Sequence, residues 1–126
     1  MAFYLPLPQV CVKFEKHFVI DEVRTKGSLG HKRTSQDVKD EYKQKIKNGS
    51  GDFSFDPQKK YLICVQITCC IGRTGGLPDA DNVAKAIVDE LFPTDDSFDV
   101  IKGIQAEGEV LATGNEKTEI YIYSVV

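Results

Sequence analysis

The chain has 126 residues, of which 41% are hydrophobic and 28% charged, and its formal net charge is −3. This length predicts one domain, residues 1–126, and excludes an enzyme with a separate cofactor domain. The composition excludes an intrinsically disordered chain, because disorder goes with fewer apolar residues and a larger net charge.

The small net charge conceals a difference between the two halves of the chain. Residues 1–60 contain 12 Lys/Arg and 8 Asp/Glu, whereas residues 61–126 contain 4 Lys/Arg and 11 Asp/Glu. This asymmetry points to a polyanion or a metal ion as partner. The alternative, in which the two halves fold together and their charges intermix, stays open at this point.

Signals for export or membrane insertion are absent from the sequence. The segment from Met1 to Pro8 lacks the basic start of a signal peptide and contains two prolines. Apolar runs such as Tyr61 to Val65 are far shorter than the roughly 20 residues of a membrane-spanning helix. We therefore expect a soluble, cytoplasmic protein with no membrane partner.

The periodicity of apolar residues predicts six elements in the order β-α-β-α-β-β. The expected strands are 10–20, 61–71, 100–112 and 120–126, and the expected helices are 35–47 and a second one that ends at Phe92. The fold class is α+β, a four-stranded mixed sheet with two helices, and the last two strands are expected to form a hairpin.

Local signals define the ends of these elements. Thr34 is the expected N-cap of the first helix, and Asn48-Gly49 is its expected end. The second helix is expected to begin at Asp81 or Asn82. Residues 21–33 are expected to form a basic loop.

Alternation in the first and second strands predicts which faces are buried. Val10, Val12 and Phe14, followed by Phe18 and Ile20, mark one half-buried strand. The second strand has an apolar face that begins at Tyr61 and a more polar face that begins at Leu62.

The four cysteines, at positions 11, 64, 69 and 70, form no Cys-x-x-Cys pair. Neither histidine lies at zinc-finger spacing from them. We expect reduced thiols in or near the core.

A cluster of carboxylates and one lysine surrounds the second helix. Asp79 and Asp81 lie at its start, where the free N–H groups favour negative charge. Asp81, Lys85 and Asp89 recur at intervals of four and share a helix face. Asp95 and Asp96 follow the helix. Several carboxylates at one place favour a hard cation such as Mg²⁺ or Mn²⁺, and a nearby lysine can bind a phosphate.

An ordinary structural role for the same residues also fits the spacing. Aspartate is a common N-cap, an Asp81–Lys85 pair is worth about 0.3–0.5 kcal/mol, and Asp95-Asp96-Ser97 is typical of a turn.

The pattern Asp79-x-Asp81-Asn82-x-x-Lys85, followed by Asp89 and Asp95-Asp96, resembles the signature of the RusA family of Holliday-junction resolvases. The resemblance implies a homodimeric endodeoxyribonuclease that cuts branched DNA, the four-way junction, with Mg²⁺, for which Mn²⁺ can substitute. It implies Asp79, Asp81 and Asp96 as metal ligands, Asp95 as an additional ligand, and Lys85 as the catalytic lysine.

DNA binding is expected through basic residues outside this motif. The candidates are Lys32, Arg33, Arg73 and Lys43. The chain is acidic overall, and only Arg73 precedes the motif where relatives often carry several arginines. We therefore expect DNA binding to be weak and sensitive to salt.

Two other classes of function remain open from the sequence. One is a junction-binding accessory dimer without catalysis. The other is a non-enzymatic interaction protein whose aspartates are helix caps and turn residues.

Overall fold

A mixed β-sheet and three helices make up the part of the chain that the structure describes. This computed structural model describes residues 12–70, 78–92, 101–111 and 116–125. The elements are β1 (Val12–Ile20), α1 (Lys26–Gly30), α2 (Gln36–Ser50), β2 (Tyr61–Cys70), α3 (Ala80–Leu91), β3 (Ile101–Leu111) and β4 (Lys117–Val125). The α+β class is confirmed.

The element order differs from the predicted one by the short helix α1, which lies within the expected basic loop. Gly27 and Gly30 suggested a loop, but Leu29 packs against the core and its N–H donates to the Thr25 carbonyl at 3.1 Å. Lys26 also reaches α3, where its Nζ lies 2.8 Å from Asp89. Tertiary contacts therefore support one helical turn that local propensity does not favour.

The strand order is β1-β4-β2-β3. β4 runs antiparallel to both β1 and β2, whereas β2 and β3 are parallel. Parallel strands need a crossover connection, and α3 lies in the segment that joins these two. The predicted hairpin between the last two strands is wrong, because β4 lies between β1 and β2 and does not pair with β3.

The central strand β2 is buried on both of its faces. Ile63 and Val65 belong to the main core, together with Ile120 and Ile122 of β4 and side chains of α2 and α3. On the opposite face, Leu62, Cys64, Gln66 and Thr68 are each no more than 5% exposed. The face predicted to be more polar is therefore as deeply buried as the apolar one. As expected, Cys64 and Cys69 are buried thiols.

A β-bulge changes the orientation of β1. The register with β4 shifts between Phe14 and Lys16, so that Phe14 pairs with Tyr123 and Phe18 with Ile120. Phe18 is 6% exposed, but Phe14 is 56% exposed. The sequence alternation placed both on one buried face, and the extra residue in the bulge puts Phe14 on the other face.

The helix α2 begins and ends at positions different from those predicted, whereas α3 ends at Leu91 with Phe92 as its C-cap, as predicted. Ser35, not Thr34, is the N-cap of α2, and its Oγ accepts from the Val38 N–H at 3.3 Å. α2 continues past Asn48-Gly49 to Ser50, and Gly51 ends it with a φ of 57°. In the described ranges, no helix is long and apolar enough to cross a membrane.

Gly49 is required by close packing between α2 and β1. A Cβ at this position would lie 2.5 Å from Cδ2 of Phe18. We expect Gly49→Ala to lower the free energy of unfolding by about 1–3 kcal/mol, although alanine favours helices more than glycine does. Urea denaturation measures the change.

Gly30→Ala is the matched control, because a Cβ at Gly30 would have no atom within 4 Å. It should leave the free energy of unfolding within about 0.5 kcal/mol of the parent chain. Equal stabilities for the two variants would contradict the packing of Phe18 on α2.

Candidate metal and DNA-binding site

Two of the predicted aspartates, Asp79 and Asp81, lie at the first turn of α3. Asp79, not Asp81 or Asn82, is the N-cap, and its Oδ1 accepts from the Asp81 N–H at 3.0 Å. Its carbonyl accepts from the N–H groups of Asn82 and Val83. One oxygen of Asp79 is thus engaged in capping. The Asp81 carboxylate takes no part in the cap and is exposed.

Lys85 lies one helical turn after Asp81 and is also exposed. Residues four apart on a helix have Cβ atoms about 5–6 Å from each other. With respect to the described residues, neither side chain is engaged in an ion pair. The arrangement presents two carboxylates and one ammonium group to solvent at the same end of α3.

The opposite face of α3 is apolar and holds the helix in place. Its buried side chains are those of Val83, Ala84, Ala86, Ile87, Val88 and Leu91. Because this face packs against the sheet, the polar residues of the first turn point away from the core.

Asp89 does not belong with the aspartates of the first turn. Its Oδ2 lies 2.8 Å from Lys26 Nζ, and the neighbouring Glu90 lies 3.9 Å from Lys43 Nζ. From the rise of an α-helix, Asp89 is about 15 Å from Asp79 along the axis. The sequence predicted that Asp81, Lys85 and Asp89 share one exposed helix face. In the structure the first turn of α3 is exposed to solvent, whereas the carboxylates of its last turn pair with α1 and α2.

The predicted DNA-binding residues differ in whether an acidic side chain already pairs with them. Lys32 and Arg33 are exposed in the turn before α2, where the Arg33 N–H donates to His31 Nδ1 at 3.0 Å. Neither forms an ion pair with a described residue. Lys43 is half exposed and is paired with Glu90, near the end of α3 remote from Asp79. Arg73 lies outside the described residues.

Lys45 shows why not every lysine of α2 can bind a phosphate. Its Nζ lies 2.6 Å from Glu22 and 2.8 Å from Asp21. Hydrogen bonds to these two carboxylates raise the pKa of Lys45 above its ordinary value. This lysine fixes the segment after β1 onto α2, and its charge is compensated.

The complete metal site predicted from the sequence falls partly outside the described residues. Asp95 and Asp96 lie there, three and four residues after Phe92. Phe92 is at the end of α3 opposite Asp79, about 20 Å away along the axis. At about 3.5 Å per residue, Asp96 can approach Asp79 only if the chain after Phe92 extends back along α3. Within the described ranges, no group of three or more His, Cys, Asp or Glu side chains can hold a metal ion.

Asp79 is both the N-cap of α3 and a candidate metal ligand, and substitutions can test its capping role. Asp79→Ala removes the acceptor for the Asp81 N–H and should lower the free energy of unfolding by about 1 kcal/mol. Asp79→Asn retains an oxygen that can cap, and it should cost only a few tenths of a kcal/mol.

Asp81→Asn is the comparison, because its carboxylate is exposed and makes no cap. It should leave the urea midpoint nearly unchanged. A loss of stability in Asp81→Asn as large as that in Asp79→Ala would contradict the assignment of Asp79 as the N-cap.

Comparisons with known proteins give no relative: the chain matches no protein-family model, no curated protein and no solved structure. The resemblance to the RusA family stays a prediction from the motif.

Proposed function

We propose that the chain is a metal-dependent endodeoxyribonuclease that cleaves phosphodiester bonds in branched DNA, with the four-way Holliday junction as its substrate. The observation that carries the proposal is the first turn of α3, where Asp79, Asp81 and Lys85 are all exposed to solvent. Carboxylates and an ammonium group at such spacing are the groups that phosphodiester hydrolysis needs.

The donor set fits Mg²⁺ or Mn²⁺ in chemistry. Asp79 keeps one carboxylate oxygen beyond its cap, and Asp81 keeps both, and hard divalent cations prefer such oxygen ligands. Asp96, assisted by Asp95, would supply further oxygens, as the resemblance to the RusA family implies. Together these residues would hold the cation, which when bound would supply an activated water molecule and charge stabilisation at the leaving oxygen.

Lys85 would act on the phosphate. Its ammonium group lies on the same helix face as Asp81 and has no carboxylate partner among the described residues. It can therefore donate a hydrogen bond to a non-bridging phosphate oxygen and stabilise the charge that develops there. Asp79 and Asp81, held by α3, fix the side from which the phosphate approaches.

We also propose a homodimer, a set of DNA-binding residues and a cellular location. A homodimer would present two identical sites to a junction that has two-fold symmetry. Lys32 and Arg33, with Arg73 and Lys43, would bind the phosphate backbone. We place the activity in DNA recombination and repair in the cytoplasm.

A junction-binding accessory dimer without catalysis is the second candidate. The observation that favours it is that the described residues bring together only two carboxylates, Asp79 and Asp81. It predicts the same DNA binding but no cleavage at any metal concentration.

Cleavage of a labelled synthetic four-way junction, compared with linear duplex of the same sequence, tests the proposal. In Mg²⁺ or Mn²⁺ we expect paired nicks on the junction alone and none in EDTA. Asp81→Asn and Lys85→Ala should each reduce the rate at least about 100-fold, because each removes a group that acts in the transition state.

Asp37→Asn is the matched control, because Asp37 occupies in α2 the position that Asp81 occupies in α3. It should cleave at the parent rate. Cleavage by Asp81→Asn at the parent rate would exclude the proposed site, and absence of cleavage by the parent chain with intact binding would favour the accessory dimer.

The basic turn before α2 gives a separate prediction. Replacing Lys32 and Arg33 together by glutamate should weaken junction binding and reduce its dependence on salt concentration, because fewer phosphate contacts release fewer counterions. Gel-shift titrations between about 50 and 200 mM salt measure both effects.

Lys45→Ala serves as the control for this change, because its charge is already compensated by Asp21 and Glu22. Its salt dependence should equal that of the parent chain. Unchanged binding after reversal of Lys32 and Arg33 would show that DNA contacts another surface.

A further inference from the structure

Two aromatic pairs lie on the face of the sheet opposite α2 and α3, which we call the outer face. Phe14 of β1 packs edge to face on Tyr123 of β4, with ring centroids 6.0 Å apart. His17 stacks on Tyr121, with centroids 4.3 Å apart and an angle of 22° between the rings. These rings are remote from the core, which lies under the helices.

The bulge in β1 is what puts both pairs on one face. Phe14 and His17 are three residues apart, so a regular strand would place them on opposite faces. The register shift between Phe14 and Lys16 adds one residue and brings both onto the outer face, opposite Tyr123 and Tyr121. β-bulges are known for directing side chains in this way.

The outermost rings of the two pairs are open to solvent. Phe14 is 56% exposed, and His17 is also exposed, whereas Tyr121 and Tyr123 are partly covered beneath them. Because Tyr121 and Tyr123 are two residues apart, the pairs are spaced by about 6.8 Å along β4. Two neighbouring nucleotides of an extended strand can place one base on each ring.

A lysine lies beside the aromatic pairs on the outer face. Lys60 precedes Leu62 by two residues, which places it on the outer face, and its carbonyl accepts from the Val125 N–H at 2.7 Å. Lys60 is exposed and has no ion-pair partner among the described residues.

The outer face also carries the carboxylate of Glu119, which pairs with Tyr121 and Lys117 and not with Lys60. Glu119 is occupied, since its Oε1 lies 2.8 Å from Lys117 Nζ and its Oε2 accepts from the Tyr121 hydroxyl at 3.0 Å.

We propose that the outer face of β1 and β4 binds single-stranded nucleic acid, with unpaired bases stacked on Phe14 and His17 and a backbone phosphate near Lys60. Exposed aromatic rings on adjacent strands with flanking cations bind unpaired bases with little sequence preference, because every base has a π-face. The site is separate from Asp79 and Asp81, and it would bind without metal and without cleavage.

Fluorescence anisotropy of a labelled 12-residue oligothymidylate, in EDTA and at low salt, tests this proposal. The full chain should bind it, and Phe14→Ala and His17→Ala should each raise the Kd about 5- to 100-fold. Lys60→Ala should weaken binding and reduce its salt dependence.

Val19→Ala is the matched control, since Val19 is a 48% exposed apolar residue of β1 without a ring. It should leave the Kd within about twofold, as should Asp81→Asn, which disables only the proposed cleavage site. Circular dichroism checks that each variant is folded.

Two results would overturn the proposal. One is equal oligonucleotide binding by Phe14→Ala, His17→Ala and Val19→Ala. The other is a change of mass from dimer to monomer in sedimentation equilibrium of Phe14→Ala, without DNA present, which would make the outer face an interface between two copies of the chain.

Discussion

The burial of β2 on both faces is the constraint on which the rest of the structure depends. Its core face packs under α2 and α3, and its other face is buried to the same extent although two of its residues, Gln66 and Thr68, are polar. The backbone N–H and C=O groups of a strand buried in this way need partners on both sides. The neighbouring strands β4 and β3 supply them. The parallel pairing with β3 accounts for the crossover through α3, because parallel strands cannot be joined by a tight turn.

That crossover determines the geometry of the candidate metal site. α3 presents Asp79, Asp81 and Lys85 at one end, while Lys26 and Lys43 hold Asp89 and Glu90 near the other. The exposed first turn is consequently distinct from the last turn, whose carboxylates serve to attach α1 and α2. The same helix thus carries one group of charges available to a ligand and another that stabilises the fold.

The two proposed functional surfaces lie on different elements and use different physical interactions. The α3 turn presents carboxylate oxygens, whereas the outer face of β1 and β4 presents aromatic rings. For a protein that acts on branched DNA, one surface would cut duplex DNA near the branch and the other would hold unpaired nucleotides.

The sequence by itself determined the fold class, the main apolar rows and the motif around Asp79, because periodicity and helix-start chemistry are local. It could not determine that Asp79 is the cap, that Asp89 pairs with Lys26, or that β4 lies between β1 and β2, because those depend on contacts between distant segments. Phe14 is exposed because β1 contains a β-bulge, and nothing in the sequence of β1 predicts that bulge. Tertiary structure alone decided which aromatic and charged residues share a surface.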